Sequence, residues 1–201
     1  RLKQICNHPA LALSENAADE SFLGRSAKVQ RLEEILDEVI EAGDRALLFT
    51  QFAEWGHLLQ SWMQQRWKAE VPFLHGGTRK SERQAMVDRF QEDPRGPQLF
   101  LLSLKAGGVG LNLTRASHVF HVDRWWNPAV ENQATDRAYR IGQTNRVMVH
   151  KFITRGSVEE KIDRMIREKS RLAEDVIGSG EDWLGSLAGD QLRNLVALED
   201  T

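Results

Sequence analysis

The stretch QLFLLSLKAGGVGLNL, residues 98–113, decides how this chain is to be read. Leu99, Phe100, Leu101 and Leu102 follow one another with no polar residue between them. A strand of that kind is buried on both faces, as strands of parallel sheets are. The run then breaks into glycines, with Lys105 just before them. In open α/β sheets ligands bind at the carboxyl ends of the strands. Glycines there let backbone N–H groups approach a phosphate, and a lysine adds charge. The pattern is not the G-x-x-x-x-G-K-[ST] phosphate loop, and a tight strand-to-helix turn without a ligand accounts for GGVG equally well.

Working outward, four more apolar runs read as strands: ALLFT (46–50), VPFLH (71–75), SHVFHVD (117–123) and VMVHKFIT (147–154). Helices alternate with them. Ser26 caps one whose residues Leu32, Ile35, Leu36, Val39 and Ile40 keep helical spacing, and Gly43 ends it. A tryptophan-rich helix covers roughly 53–69, and a polar one runs to about 91. WWNP opens another, with Pro128 in its first turn, and IGQ closes it. Ser157 and Glu160 form an S-x-x-E capping box at the head of a charged helix reaching about Ile177. Buried strands alternating with helices predict an α/β fold, a three-layer sandwich around a mostly parallel sheet. DQLRNLVAL in the tail 178–201 predicts a helical extension packing on the flank.

The totals set bounds. The 201 residues suffice for one sizeable domain. A hydrophobic share of 41% and a charged share of 28% are ordinary for a soluble globular protein. A net charge of −2 excludes a uniformly basic nucleic-acid binder, so any such contact must come from local patches. The single cysteine, Cys6, excludes an internal disulfide and fits a reducing compartment. No apolar run is long enough to cross a membrane, and no membrane partner is expected. The start at Arg1, without methionine, reads as an excised fragment.

Several segments carry possible chemistry. In ENQATDRAYRIGQ (131–143), Gln133, Arg137 and Arg140 are spaced four and three apart, which puts all three along one helical face. Arginine's planar fork suits phosphate oxygens and stays charged. A solvated face with Glu131 and Asp136 as local partners explains the same spacing. HGGTRKSER (75–83) sets two glycines, a hydroxyl and Arg79, Lys80 and Arg83 between a strand end and a helix, where free N–H groups attract phosphate. A capped helix with a basic first turn explains it too. In DRWWNP, Trp125 and Trp126 are neighbours, so one can face inward while the other protrudes to meet bases or a groove; both being core is the alternative. Trp55, Trp62, Trp67 and Trp183 read as core or covering residues. DEVI (37–40) lies inside an amphipathic helix and so is not an acidic box at a strand end. The six histidines lack metal spacing, and no metal site is expected.

Taken in order, ALLFTQF, LHGGTRKSERQAMVDRFQ, SLKAGGVGLNLTRASHVFHVDRWWNP and QATDRAYRIGQ resemble the helicase motifs of the second RecA-like lobe. The match is to SWI/SNF-type DNA translocases of helicase superfamily two. LKQICNHPAL and VEEKIDRMIREKSRLAEDVIGSGEDWL also look like family segments, the latter most like bacterial, HepA-like members. RNA helicases of the superfamily usually read H-R-x-G-R where this chain has DRAYRIGQ.

The resemblance implies a RecA-like lobe of P-loop NTPase type. Residues 1–25 are then a linker arriving from a first lobe, 26–177 the lobe itself and 178–201 the helical tail. It implies ATP with magnesium as cofactor, the metal held mainly by the first lobe. Arg137 and Arg140 look like arginine fingers, with Gln133 positioning the attacking water or the phosphate, and Gly108 and Gly110 lie near the nucleotide. Thr50, Gln51, Gly77, Thr78, Arg79, Ser103 and Lys105 follow the DNA backbone, and Trp126 matches the tryptophan that approaches the minor groove. The partners implied are double-stranded DNA, the first lobe of the same full-length chain, and RNA polymerase or another DNA-bound protein. The expected location is the bacterial cytoplasm at the nucleoid, or the nucleus for a eukaryotic source.

Three features depart from or complete this pattern. Ser103-Leu104-Lys105 before AGG is the variant more familiar in bacteria, and Trp125 stands where the family has an acidic residue. The chain contains no phosphate loop, so it is expected to be inactive alone. A partner-docking module without ATPase role and an RNA helicase lobe are the competing readings.

Overall fold

The computed structural model describes residues 2–15, 21–104, 111–125, 127–140, 143 and 146–172, with side chains up to 167 in the last segment. Lys105, Gly108, Gly110, Trp126, Trp183 and the tail 178–201 lie outside the described residues. Five strands, β1 (Ala46–Thr50), β2 (Phe73–Leu74), β3 (Leu99–Ser103), β4 (His118–His121) and β5 (Met148–Lys151), form one sheet in the order β2-β3-β1-β4-β5. Every pairing is parallel, as the unbroken apolar strands require.

Alternation along the central strand builds the three layers. Ala46 and Leu48 face a core shared with α3 (Ala27–Glu41) and α4 (Ala53–Trp67). Leu47 and Phe49 face a second core, with α5 (Lys80–Glu92) and α6 (Pro128–Thr135) on that side. Each fully buried Leu or Phe contributes about 1.5–3 kcal/mol, so β1, sealed on both faces, is the hub of the fold. Residues 2–15, within the stretch set apart as a linker, form α1 (Leu2–Asn7) and α2 (Pro9–Ala12) and fold onto the first core. There His8 stacks on Phe22 at 4.1 Å and donates its Nε2–H to the Phe22 carbonyl at 2.7 Å, while its Nδ1 accepts from the Ala10 N–H.

Helix ends follow local chemistry. Ser26 caps α3 by accepting from the Val29 N–H while donating its hydroxyl to the Asn7 carbonyl at 2.9 Å. At the other end Gly43, at φ +75°, lets Gly43 N–H reach the Ile40 carbonyl and Asp44 N–H the Val39 carbonyl. The expected box at α7 (Val158–Leu172) is displaced. Ser157 Oγ accepts from Glu159 N–H at 3.1 Å, and the Glu160 carboxylate accepts from Gly156 N–H at 2.8 Å.

One expectation fails. The helix opened by Pro128 stops at Thr135 and does not run on to IGQ, so Gln133, Arg137 and Arg140 do not share one helical face. Thr135 Oγ1 donates to the Glu131 carbonyl at 3.1 Å, the back-bond to i−4 by which a threonine weakens and bends a helix. Beyond it Arg137 and Ala138 N–H groups bond three residues back, to Ala134 and Thr135, in a tighter turn.

Candidate functional site

With parallel strands, all carboxyl ends lie along one edge of the sheet. The connection leaving β1 runs to one side and that leaving β4 to the other, so their carboxyl ends flank the switch point of the topology. The groups meeting there are Thr50, Gln51 and Asp123. Asp123 is buried and accepts a short bond from the Thr50 hydroxyl and one of 3.0 Å from the Gln51 N–H. Burial pushes its carboxyl up to about 6, against the opposing pull of these two bonds.

The arginine segment follows α6. Arg137 is buried, with its guanidinium 5.6 Å from the centroid of Phe49. Its carbonyl accepts from Leu113 N–H at 3.0 Å, which ties the turn to the segment just past the glycines. Burial lowers its pKa, and the nearby Arg140 charge lowers it further. Arg140 is exposed, its Nε donating to the Asp136 carbonyl at 3.3 Å, and Gln133 is exposed on α6. Gln143 Nε2 donates to the carbonyls of Thr114, Ala116 and Ala138, at 2.8, 3.0 and 3.1 Å. The turn is thus held by backbone tethers, with one arginine inside it and one reaching out. Under the core face of β1, His121 stacks on Phe49 at 5.7 Å and bonds Thr135 Oγ1 at 3.0 Å. Burial first, then the Lys151 and Arg124 charges, depress its pKa to about 3, so it is neutral.

The other sequence-chosen residues divide by exposure. Thr50 and Ser103, opposite one another in the β1–β3 register, are buried at the strand ends, and the Thr50 hydroxyl is engaged by Asp123. Gln51 is half-buried. Its Nε2 donates to the Arg124 carbonyl at 3.1 Å, and Lys3 donates to its Oε1 at 3.4 Å. After β2 the loop folds on itself through His75 N–H to Thr78 Oγ1 (3.0 Å) and Gly77 N–H to His75 Nδ1 (3.2 Å). That leaves Gly77, Arg79 and Lys80 exposed at the head of α5. Trp125 is partly buried against the second core, with Lys3 Nζ 6.0 Å from its ring centroid.

Sequence reasoning missed a charged cluster behind this edge. Arg124, buried, donates through Nε to Glu131 at 2.9 Å and through its other arm to Asp163 of α7. The same Glu131 oxygen accepts from the Trp125 N–H at 3.0 Å, while Lys151 lies 3.2 Å from the other oxygen as an ion pair. Arg167 adds a 2.7 Å contact to Asp163. The available signal was Asp123-Arg124 directly after an apolar strand, where charged residues stay buried only if partnered. Phe49 was also missed, since nothing in ALLFT marks which aromatic lies under an arginine.

A parallel sheet covered by helices on both faces, with an arginine turn at the carboxyl edge, has the architecture of a RecA-like lobe. Residues 27–142 match the helicase conserved C-terminal domain, and the chain belongs to that family, in its SWI/SNF-type branch. Over 201 residues, all of this chain and 21% of the relative, it is 48% identical to a putative ATP-dependent helicase/translocase, YwqA, of Bacillus subtilis. It resembles the C-terminal domain of a SWI2/SNF2 ATPase from Sulfolobus solfataricus with TM-score 0.79 and 40% identity, covering 99% of this chain and 79% of that one. The SWI2/SNF2 ATPase core of the same organism in complex with double-stranded DNA matches with TM-score 0.82 and 42% identity, covering 99% and 41%. The chain spans about a fifth of the length of the curated relatives it matches.

Proposed function

We propose that this chain is the second motor lobe of an ATP-dependent translocase of double-stranded DNA, completing an ATP site whose phosphate loop belongs to a first lobe. The observation that carries the reading is the pair in the turn after α6, Arg137 held inside and Arg140 exposed beyond it. An arginine finger must reach out to a phosphoryl group on another lobe, and Arg140 has that freedom while Arg137 fixes the base of the turn. Their chemistry fits a nucleotide, since the planar fork of a guanidinium suits phosphate oxygens. ATP would supply the transferable phosphoryl group. Magnesium would be held mainly by the first lobe. Gln133, exposed on α6, orients the attacking water or the phosphate, and Gly108 and Gly110 approach the nucleotide.

Charge spread over the transferring group is met by the finger, a contribution of roughly 10³–10⁵ in rate. Gln51, Gly77, Thr78, Arg79 and Lys105 track the DNA backbone, and Trp126 approaches the minor groove. Thr50 and Ser103, buried as side chains, shape the same edge. Backbone contacts carry no base information, so tracking is independent of sequence. The protein acts on DNA at the nucleoid in the bacterial cytoplasm, or in the nucleus for a eukaryotic source, with RNA polymerase or another DNA-bound protein as a further partner. The dsDNA-bound solved relative and the helicase relatives support this reading. In the full-length protein Arg140→Ala should lower duplex-stimulated ATP turnover by about 10³-fold while duplex affinity stays within a few-fold. Unchanged turnover sinks the finger assignment, and stimulation by RNA above duplex DNA sinks the DNA reading.

A further inference from the structure

Among the described residues of α7, Ile162 and Ile166 are buried and form with Val158 and Met165 a small apolar cluster separate from both cores. The helix also carries two buried carboxylates four residues apart, hence on one face. Glu159 pairs with the buried Lys28 of α3 at 2.8 Å, and Lys28 also donates to Asn7 Oδ1 at 2.9 Å. Asp163 pairs with Arg124.

Arg124 sits where three lines meet. Its carbonyl accepts from Gln51, its Nε is held by Glu131, and that same Glu131 oxygen fixes the Trp125 amide. A displaced Arg124 therefore moves both Gln51 and the start of the tryptophan loop. Buried ion pairs are weak contributors to stability because desolvation offsets attraction, but each fixes a geometry. Asp163 itself faces Arg124 and Arg167; it is far along the chain from the residues assigned to DNA or nucleotide, yet it grips Arg124, whose carbonyl accepts from Gln51.

We propose that Asp163 is a positioning residue for the DNA-facing edge: through Arg124 it holds Gln51 and the Trp125 amide in register, so the docking of α7 sets how tightly the lobe engages duplex DNA. The proposal rests on the motor-lobe reading above. It makes α7 a coupling element between the chain that follows it and the DNA track. Undocking α7 frees Arg124, loosens the Gln51 contact and weakens the grip on DNA without touching the arginine turn.

The test uses the full-length protein, with a duplex oligonucleotide titrated into a steady-state ATPase assay. Asp163→Ala should raise the half-saturating duplex concentration about tenfold, a coupling typical of residues sharing one network. ATP turnover without DNA and KM for ATP should stay within about twofold. Asp163→Asn, which keeps the shape and loses the charge, should show the same direction, and Asp163→Glu should restore part of the loss. In a Gln51→Ala background the Asp163→Ala effect should shrink to about threefold, because one of its two routes is already cut while that through the Trp125 amide remains. An equal effect in both backgrounds, or a drop in thermal midpoint with unchanged duplex dependence in both the Ala and Asn variants, overturns the proposal. Absence of duplex-stimulated turnover in the unsubstituted protein overturns the motor-lobe reading, and this one with it.

Discussion

A carboxyl group kept from water is costly to ionise, and Asp123 is such a group at the switch point of the sheet. Its folded pKa, about 6 against an ordinary 3.8, means the folded state holds a proton that the unfolded chain has released. Stability from this residue is therefore full below pH 4, declines as pH rises through 4 to 6, and is flat above, a loss of about 3 kcal/mol at 1.36 kcal/mol per unit. His121 slopes the other way: with its pKa depressed to about 3, the stability it contributes is present above 6.5 and is lost as pH falls. The clean measurement is the difference between Asp123→Asn and the unsubstituted protein in urea melts at pH 4 and pH 7. That difference should move in favour of the asparagine by about 1–3 kcal/mol between the two, and a pH-independent difference would show Asp123 to be ionised at little cost. At this scale the sequence told residue types but not depth. Arg137 and Arg140 look alike in DRAYRIGQ, and only the fold puts one over Phe49 and the other in solvent.

Elements were the most legible level. Continuous apolar strands and the Ser26–Gly43 helix came directly from period, cap and breaker chemistry. What escaped was the end of α6, because Thr135 turns its hydroxyl inward to Glu131 and His121, a partnership that no local pattern shows. Close packing between elements was equally hidden. Gly56 of α4 lies against Phe73 of β2 so tightly that a Cβ there meets the ring at 2.1 Å. Alanine normally favours a helix over glycine by about 1 kcal/mol, yet Phe73 is in the core and has no room to retreat. Gly56→Ala should therefore lower stability by about 1–2 kcal/mol, the overpacking term winning. A denaturant midpoint that rises instead would mean the two elements separate at little cost.

For the whole molecule, strand order was beyond sequence reasoning, since the crossing from β3 past β1 to β4 depends on how long connections pack, not on any single segment. The absence of a G-x-x-x-x-G-K-[ST] phosphate loop from these 201 residues was legible, and on the reading proposed above the arginines meet a nucleotide held by another lobe. The chain alone should then hydrolyse no ATP above background, measured as phosphate release with duplex DNA present. Turnover that Arg140→Ala abolishes would refute that.

The alternation along β1 has one last consequence. Phe49 lies under Arg137 while Leu48 faces the opposite core, so the strand's parity decides which side chain supports the arginine turn. Loops joining these strands can lengthen without disturbing that parity. A single residue added inside β1 reverses it, setting an aliphatic side chain beneath the guanidinium and an aromatic ring on the wrong side of the sheet. The geometry beneath the arginine turn is thus counted in odd and even residues as much as in ångströms.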